Sequence, residues 1–143
     1  MKKLMNKKGF TLIEMLVVIA IIAVLVAIIV PTVTSATGKA AAATNAANLR
    51  TYIAELAVAE LNGDITITAG ASSGDAATIT AKTGKTAPTA PTMKNVGTES
   101  YTTVQVIKAA DGTLTARATG TGTGAATRTL TDFATYAEKG AWS

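Results

Sequence analysis

Nine carboxylates are spread over 143 residues, and one of them, Glu14, stands alone inside an apolar run. The stretch KKGFTLIEMLVVIAIIAVLVAIIVP, residues 7–31, holds no other charge after Lys8. At the centre of a bilayer an acidic side chain costs roughly 2.5–3.5 kcal/mol on insertion scales. Near a helix end, snorkelling and local water reduce that cost. A charge in dry surroundings is most expensive when its partner is missing, so Glu14 poses the question of what it pairs with.

The rest of the chain is poor in reactive groups. It has no cysteine and no histidine. This excludes disulfides, thiolate metal sites, a thiol nucleophile, and the commonest general base and metal ligand. Ser72 and Ser73 have no histidine partner, and no lysine is placed as an obvious base. Asp64, Asp75, Asp111 and Asp132 are separated and match no metal-loop spacing. The TGTGTG run at 119–124 lacks the strand-to-helix setting and following lysine of a phosphate loop, and no Asn-x-Ser/Thr sequon occurs. An enzyme is not expected, and neither a catalytic residue, a cofactor nor a metal is assigned.

The elements around Glu14 read as follows. Residues 1–9, MKKLMNKKG, form a short basic leader. Residues 10–30 are apolar apart from Thr11 and Glu14, and as a helix they span roughly 31 Å, the thickness of a bilayer core. The lysines before Gly9 stay in the cytoplasm by the positive-inside rule, which puts the C-terminal part outside. Pro31 removes a backbone donor and is expected to kink or loosen the helix at the membrane exit. Residues 32–62 continue it as an amphipathic helix: Leu49, Tyr52, Ile53 and Leu56 share a face, Glu55 and Glu60 point away, and Asn62-Gly63 stops it. The whole helix, Phe10 to Asn62, is about 53 residues and roughly 80 Å long if unbroken.

After Gly63 the composition changes. Threonine supplies 20 of the last 80 residues, and β-branched residues suit a half-buried pleated surface. Strands are expected at 64–68, 77–82, 101–109, 113–119 and 126–130, with a hairpin turn at Asp111-Gly112. TAPTAPT (86–92) reads as a stiff extended loop and TGTGTG (119–124) as a flexible one. The expected fold class is α+β: a long N-terminal helix, membrane-embedded in its first half (10–31), whose second half (32–62) packs on a small antiparallel sheet formed by residues 63–143.

Charge points the same way. Lys2, Lys3, Lys7 and Lys8 precede Gly9 with no acid among them, which leaves nine basic and nine acidic residues in the rest of the chain. The basic residues beyond the leader, Arg50, Lys82, Lys85, Lys94, Lys108, Arg117, Arg128 and Lys139 among them, are scattered, so no nucleic-acid binding is evident.

With these residues in view, the N-terminal stretch resembles the signature of type IV pilins and the related pseudopilins. A short basic leader ends in Gly9, an aromatic Phe10 follows, TLIE places Glu14 fifth after the junction, and Pro31 closes the apolar stretch. The resemblance implies a pilin-like fold and cleavage by a prepilin peptidase between Gly9 and Phe10, with methylation of the new Phe10 amine. It implies pairing of Glu14 with that amine on a neighbouring subunit, and assembly by a cytoplasmic ATPase and a membrane platform protein. The product would be a homopolymeric helical filament, whose subunits wait in the cytoplasmic membrane and end on the cell surface. In the family the stretch before this proline, here roughly residues 23–31, can lose helix in the filament. Some members carry a glycine there and this chain has none. Many major pilins of Gram-negative bacteria close a C-terminal loop with a disulfide, which this chain cannot do. Four readings stay open: a major pilin, a major pseudopilin of a secretion or DNA-uptake apparatus, a domain behind an ordinary signal peptide cut after TSA (34–36), and a single-pass membrane protein that never polymerises.

Overall fold

The computed structural model describes residues 9–121 and 126–142. The leader residues 1–8 and residues 122–124 of the TGTGTG run therefore lie outside the described part. The chain divides into two compact units, the boundary falling between Thr34 and Ser35.

The first unit carries the N-terminal part of helix α1, Leu12–Leu61. Apart from Glu14, its residues 12–30 are apolar, and residues 9–37 are all exposed. Helical backbone is assigned on both sides of Pro31. The Thr32 hydroxyl donates to the Ile29 carbonyl at 2.7 Å, close to where the proline removes a donor.

The second unit holds the C-terminal part of α1. There the buried residues are Gly38, Ala42, Asn45, Ala46, Leu49, Tyr52 and Leu56, one stripe at helical spacing. Ile53, expected on that face, lies half-buried at its edge. The helix stops where Asn62-Gly63 predicts. Gly63 adopts φ 74°, its N–H reaches the Glu60 carbonyl at 3.0 Å, and the Asp64 N–H reaches the Ala59 carbonyl at 2.9 Å. These two bonds satisfy carbonyls that a helix end otherwise leaves bare.

Five strands follow: β1 (Ile65–Thr68), β2 (Thr78–Ala81), β3 (Ser100–Lys108), β4 (Leu114–Thr121) and β5 (Thr127–Thr129). They form two antiparallel sheets, β1-β2 and β3-β4-β5, where one was expected. The four-residue strands of the first sheet end before a ladder to the second can develop, and one bond from the Ala77 N–H to the Val106 carbonyl, 2.7 Å, links them. Strand β4 runs to Thr121, so the first residues of TGTGTG are strand and not loop. The Asp111-Gly112 turn closes β3 onto β4: Gly112 takes φ 87°, and Asp111 Oδ1 accepts from the Thr113 N–H at 2.9 Å.

Helix α2, Leu130–Lys139, was not anticipated. It begins at a capping box in which Thr129 and Asp132 exchange side-chain and backbone bonds, and ends at Gly140 in the left-handed region. Phe133 brings it into the core with no exposed surface, edge-on to Tyr101 at 5.0 Å and to Trp142 at 5.8 Å. The core has two clusters, one around Leu49, Val96, Ala118 and Phe133, the other around Leu56, Ile65, Ile67 and Val106. The architecture is α+β and pilin-like: a long N-terminal apolar helix, its second half against small antiparallel sheets, and a short C-terminal helix.

Candidate functional site

The site is the lip of α1. Gly9 and Phe10 precede the helix in irregular backbone, and Thr11 is the residue before its first turn. Phe10 is 78% exposed, so its ring has no intramolecular berth. A Cβ added at Gly9 would meet nothing within 4 Å among the described residues, so packing there makes no demand for glycine.

Glu14 folds back on Thr11. Its Oε2 accepts the Thr11 N–H and the Thr11 hydroxyl, each at 2.8 Å, while the Glu14 N–H donates to Thr11 Oγ1 at 3.3 Å. This is a reciprocal capping box, and it follows from Thr-x-x-Glu at the start of an apolar run. It fills two of the four donors that every helix start leaves open, in a place where lipid cannot fill them. It also sets the carboxylate against the positive end of the helix dipole. Part of the answer to the Glu14 question is thus local: within the single chain the acid is a helix cap. One of its oxygens, Oε1, has no partner among the described residues.

Beyond the cap the helix is an uncovered apolar rod. Ile13, Ile19, Val24 and Ile28 are each 63% exposed. One window of α1 is long and apolar enough to cross a membrane, and none of it is buried within the chain. Pro31 lies inside α1 beyond this run, away from Glu14 in sequence and in a different turn of the helix.

The outer domain supplies polar structure of another kind. Arg128 holds Glu99 through Nη2 to Oε1 at 2.7 Å and Nε to Oε2 at 3.2 Å, and the Tyr101 hydroxyl donates to Oε2 at 2.6 Å. The guanidinium also lies 4.0 Å from the centre of the Trp142 ring. Burial opposes ionisation of Glu99, but the bonds from Arg128 and Tyr101 outweigh it and hold its carboxyl below the usual range. Burial, and then the Glu99 carboxylate, push the Tyr101 hydroxyl well above its ordinary value. Lys108 bridges Glu60 (2.6 Å) and the Ile67 carbonyl (3.0 Å), tying α1 to β1 and β3. These groups are engaged with one another, and no group of three potential metal ligands occurs among the described residues. Sequence reasoning missed the Glu99–Arg128–Trp142 cluster because its members are distant in the chain. Only the Thr129-x-x-Asp132 cap of α2 left a local signal.

Residues 4–30 match the family model described as the prokaryotic N-terminal methylation motif. Neither a curated protein nor a solved structure matches the chain. The segment that runs through Gly9, Phe10 and the Thr11–Glu14 cap carries the prokaryotic N-terminal methylation motif, the leader signature of type IV pilins and pseudopilins.

Proposed function

We propose that the chain is a structural subunit, a major pilin, of a type IV pilus. A prepilin peptidase removes residues 1–9 by cutting between Gly9 and Phe10, and the new amine of Phe10 is methylated. The reading rests on one observation: an uncovered apolar helix starts directly behind a leader of the methylation type. Such a surface needs lipid before assembly and neighbouring copies of itself after.

The chemistry follows from the cap. Cleavage creates a cation at Phe10 that the precursor lacks. Glu14 has one carboxylate oxygen in the Thr11 bonds and the other free to receive that amine from an adjacent subunit. Left unpaired in a dry filament core, a charge of this kind costs about 3–5 kcal/mol, enough to select one stagger between subunits over its neighbours. Head-to-tail repetition of that stagger gives an open helical polymer. Residues 10–31 form its core, residues 32–62 carry the helix outward with Pro31 as the bend, and residues 63–143 coat it. Before assembly the subunit is a single-pass protein of the cytoplasmic membrane with its C-terminus outside. An ATPase and a platform protein drive its extraction into a filament on the cell surface.

The test is Glu14→Ala in the native host. Processing is expected to proceed, with the mature chain starting at methylated Phe10 by N-terminal sequencing, while sheared surface fractions lack filaments. Normal filaments from this variant would refute the charge-pairing account. A mature start at Thr37 would refute the pilin reading itself. The absence of cysteine leans toward either a Gram-positive source or a second reading, a major pseudopilin of a type II secretion or DNA-uptake system. Deletion of the gene separates the two: loss of surface filaments supports the pilus, and loss of secretion or uptake without such filaments supports the pseudopilus.

A further inference from the structure

We propose that residues 86–92 are a modification site: a displayed acceptor for O-linked glycosylation, in which Thr86, Thr89 and Thr92 take sugar from a phosphate-activated glycosyl donor. The sequence is TAPTAPT, two Thr-Ala-Pro triplets and a third threonine. Each alanine precedes a proline, whose ring excludes it from the helical region, and each proline fixes its own φ. A chain so restricted turns once every three residues, so positions i, i+3 and i+6 share a face. Burial follows that period at the threonines and prolines: Thr86, Thr89 and Thr92 are exposed and Pro88 and Pro91 half-buried, while the alanines differ, Ala87 half-buried and Ala90 exposed. The prolines face the domain and the hydroxyls face solvent.

Both ends of the segment are fixed. Lys85 pairs with Asp64 at 2.8 Å and donates its N–H to the Lys82 carbonyl at 2.9 Å. At the other end Met93 is buried. The fully buried Asn45 donates to the Lys94 carbonyl at 2.8 Å and accepts the Lys94 N–H at 2.7 Å. Between these anchors residues 86–92 belong to no helix or strand and make no backbone hydrogen bond among the described residues. Nor do the three threonine hydroxyls have a partner there.

This combination separates the segment from the other threonines. Thr66, Thr68, Thr78 and Thr80 are also exposed, but their backbones are tied into the β1-β2 ladder. A transferase must draw an extended acceptor into its cleft. At 86–92 the prolines already restrict the backbone toward the extended form and no hydrogen bond among the described residues has to break, so little ordering cost remains. Threonine-rich sequence with proline is the composition of O-glycosylated stalks. Docking of the segment into an aromatic groove through Pro88 and Pro91 is disfavoured, because the rings such a groove grips face the domain.

The step balances without an oxidant or reductant. Threonine Oγ attacks the anomeric carbon, the bond from that carbon to the donor phosphate breaks, and the phosphate carrier leaves with the electron pair. The hydroxyl proton passes to a base of the transferase. The inference requires only that this domain meets a transferase, and it stands apart from whether the subunit polymerises.

Trypsin cuts after Lys85 and Lys94 and releases residues 86–94 as one peptide. From full-length protein purified out of its native cells, this peptide is expected to carry increments of whole sugar residues. They should be lost on alkaline β-elimination and localise to Thr86, Thr89 or Thr92 by electron-transfer fragmentation. The T86A/T89A/T92A variant should lose the increments completely while its melting temperature stays put. P88A/P91A keeps the hydroxyls but frees the backbone, and occupancy should fall severalfold. Depleting the lipid sugar carrier separates lipid-linked from nucleotide-linked donors, and either donor fits the proposal. An unmodified peptide overturns it, as do a phosphatase-labile increment, sugar on the strand threonines alone, or unchanged occupancy in P88A/P91A.

Discussion

Replacing Arg128 with methionine removes the charge that Glu99 depends on while keeping a long side chain against Trp142. The Arg128 and Glu99 side chains retain only 16% and 12% exposure, whereas those of Lys85 and Asp64 retain 57% and 30%. Breaking a fully buried ion pair costs about 3–5 kcal/mol, because the survivor keeps its desolvation penalty without its partner. Residual exposure and the remaining Tyr101 bond lower this toward about 3 kcal/mol. At roughly 4–8 °C per kcal/mol for a domain near this size, the melting temperature should drop by about 12–24 °C. Trp142, the single tryptophan, sits on the arginine, so its fluorescence in detergent-solubilised full-length protein reports the loss directly. Removing both charges in R128M/E99Q should restore at least half of the deficit, since replacing a buried pair is far cheaper than breaking it. Acid titration gives an independent check. The folded-state pKa of Glu99 lies below its ordinary 4.5, so its contribution is present above that value and lost as pH falls through the lower folded one. The melting temperature of the wild type should therefore fall on acidification below about pH 4.5, and that of R128M should fall less. Two results would refute the reasoning: R128M melting within about 3 °C of wild type, or the double variant as unstable as the single one.

Phe133→Ala should cost about 3–5 kcal/mol by opening a cavity at the junction of Tyr101 and Trp142, measured by denaturant titration of Trp142 fluorescence. Asn45→Ala strips both bonds from the Lys94 backbone, at about 1–3 kcal/mol for groups left unmade. Hydrogen exchange at the Lys94 amide and tryptic cleavage after Lys94 should both accelerate, and unchanged rates would show that the loop is held by other contacts. Thr11→Val deletes both halves of the cap that depend on its hydroxyl and should weaken the start of α1 by about 0.5–2 kcal/mol. The readout is faster hydrogen exchange at Leu12 to Glu14 in micelles.

Much of the fold could be read from local pattern. The apolar run, the Leu49/Tyr52/Leu56 stripe, the Asn62-Gly63 stop and the Asp111-Gly112 turn each express their structure through neighbours in the chain, and each lies where expected. Elements set by tertiary contact were harder to read. The split into two sheets depends on where short ladders end, and Glu99, Arg128 and Trp142 meet only after three elements are in place. Helix α2 is an intermediate case. Thr129-x-x-Asp132 announced its start, but its threonine and alanine content resembled the strands before it, so period and composition disagreed. At the lip of α1, Gly9, Phe10 and Glu14 were legible as a set. The Thr11–Glu14 reciprocity was written in the same Thr-x-x-Glu letters, and the lone charge drew attention from it.

The reciprocal cap makes the start of α1 largely self-sufficient. Two of its first backbone donors, those of Thr11 and Glu14, are satisfied from within the cap, and the Gly9–Phe10 bond lies upstream of the first helical hydrogen bond. A cut there would sever no rung of the helix, and a protease acting on this bond would meet irregular backbone with nothing to unwind. Besides removing the four leader lysines, such a cut would add a cation at Phe10, and the chain before and after it can share one folded shape while differing in what it attracts.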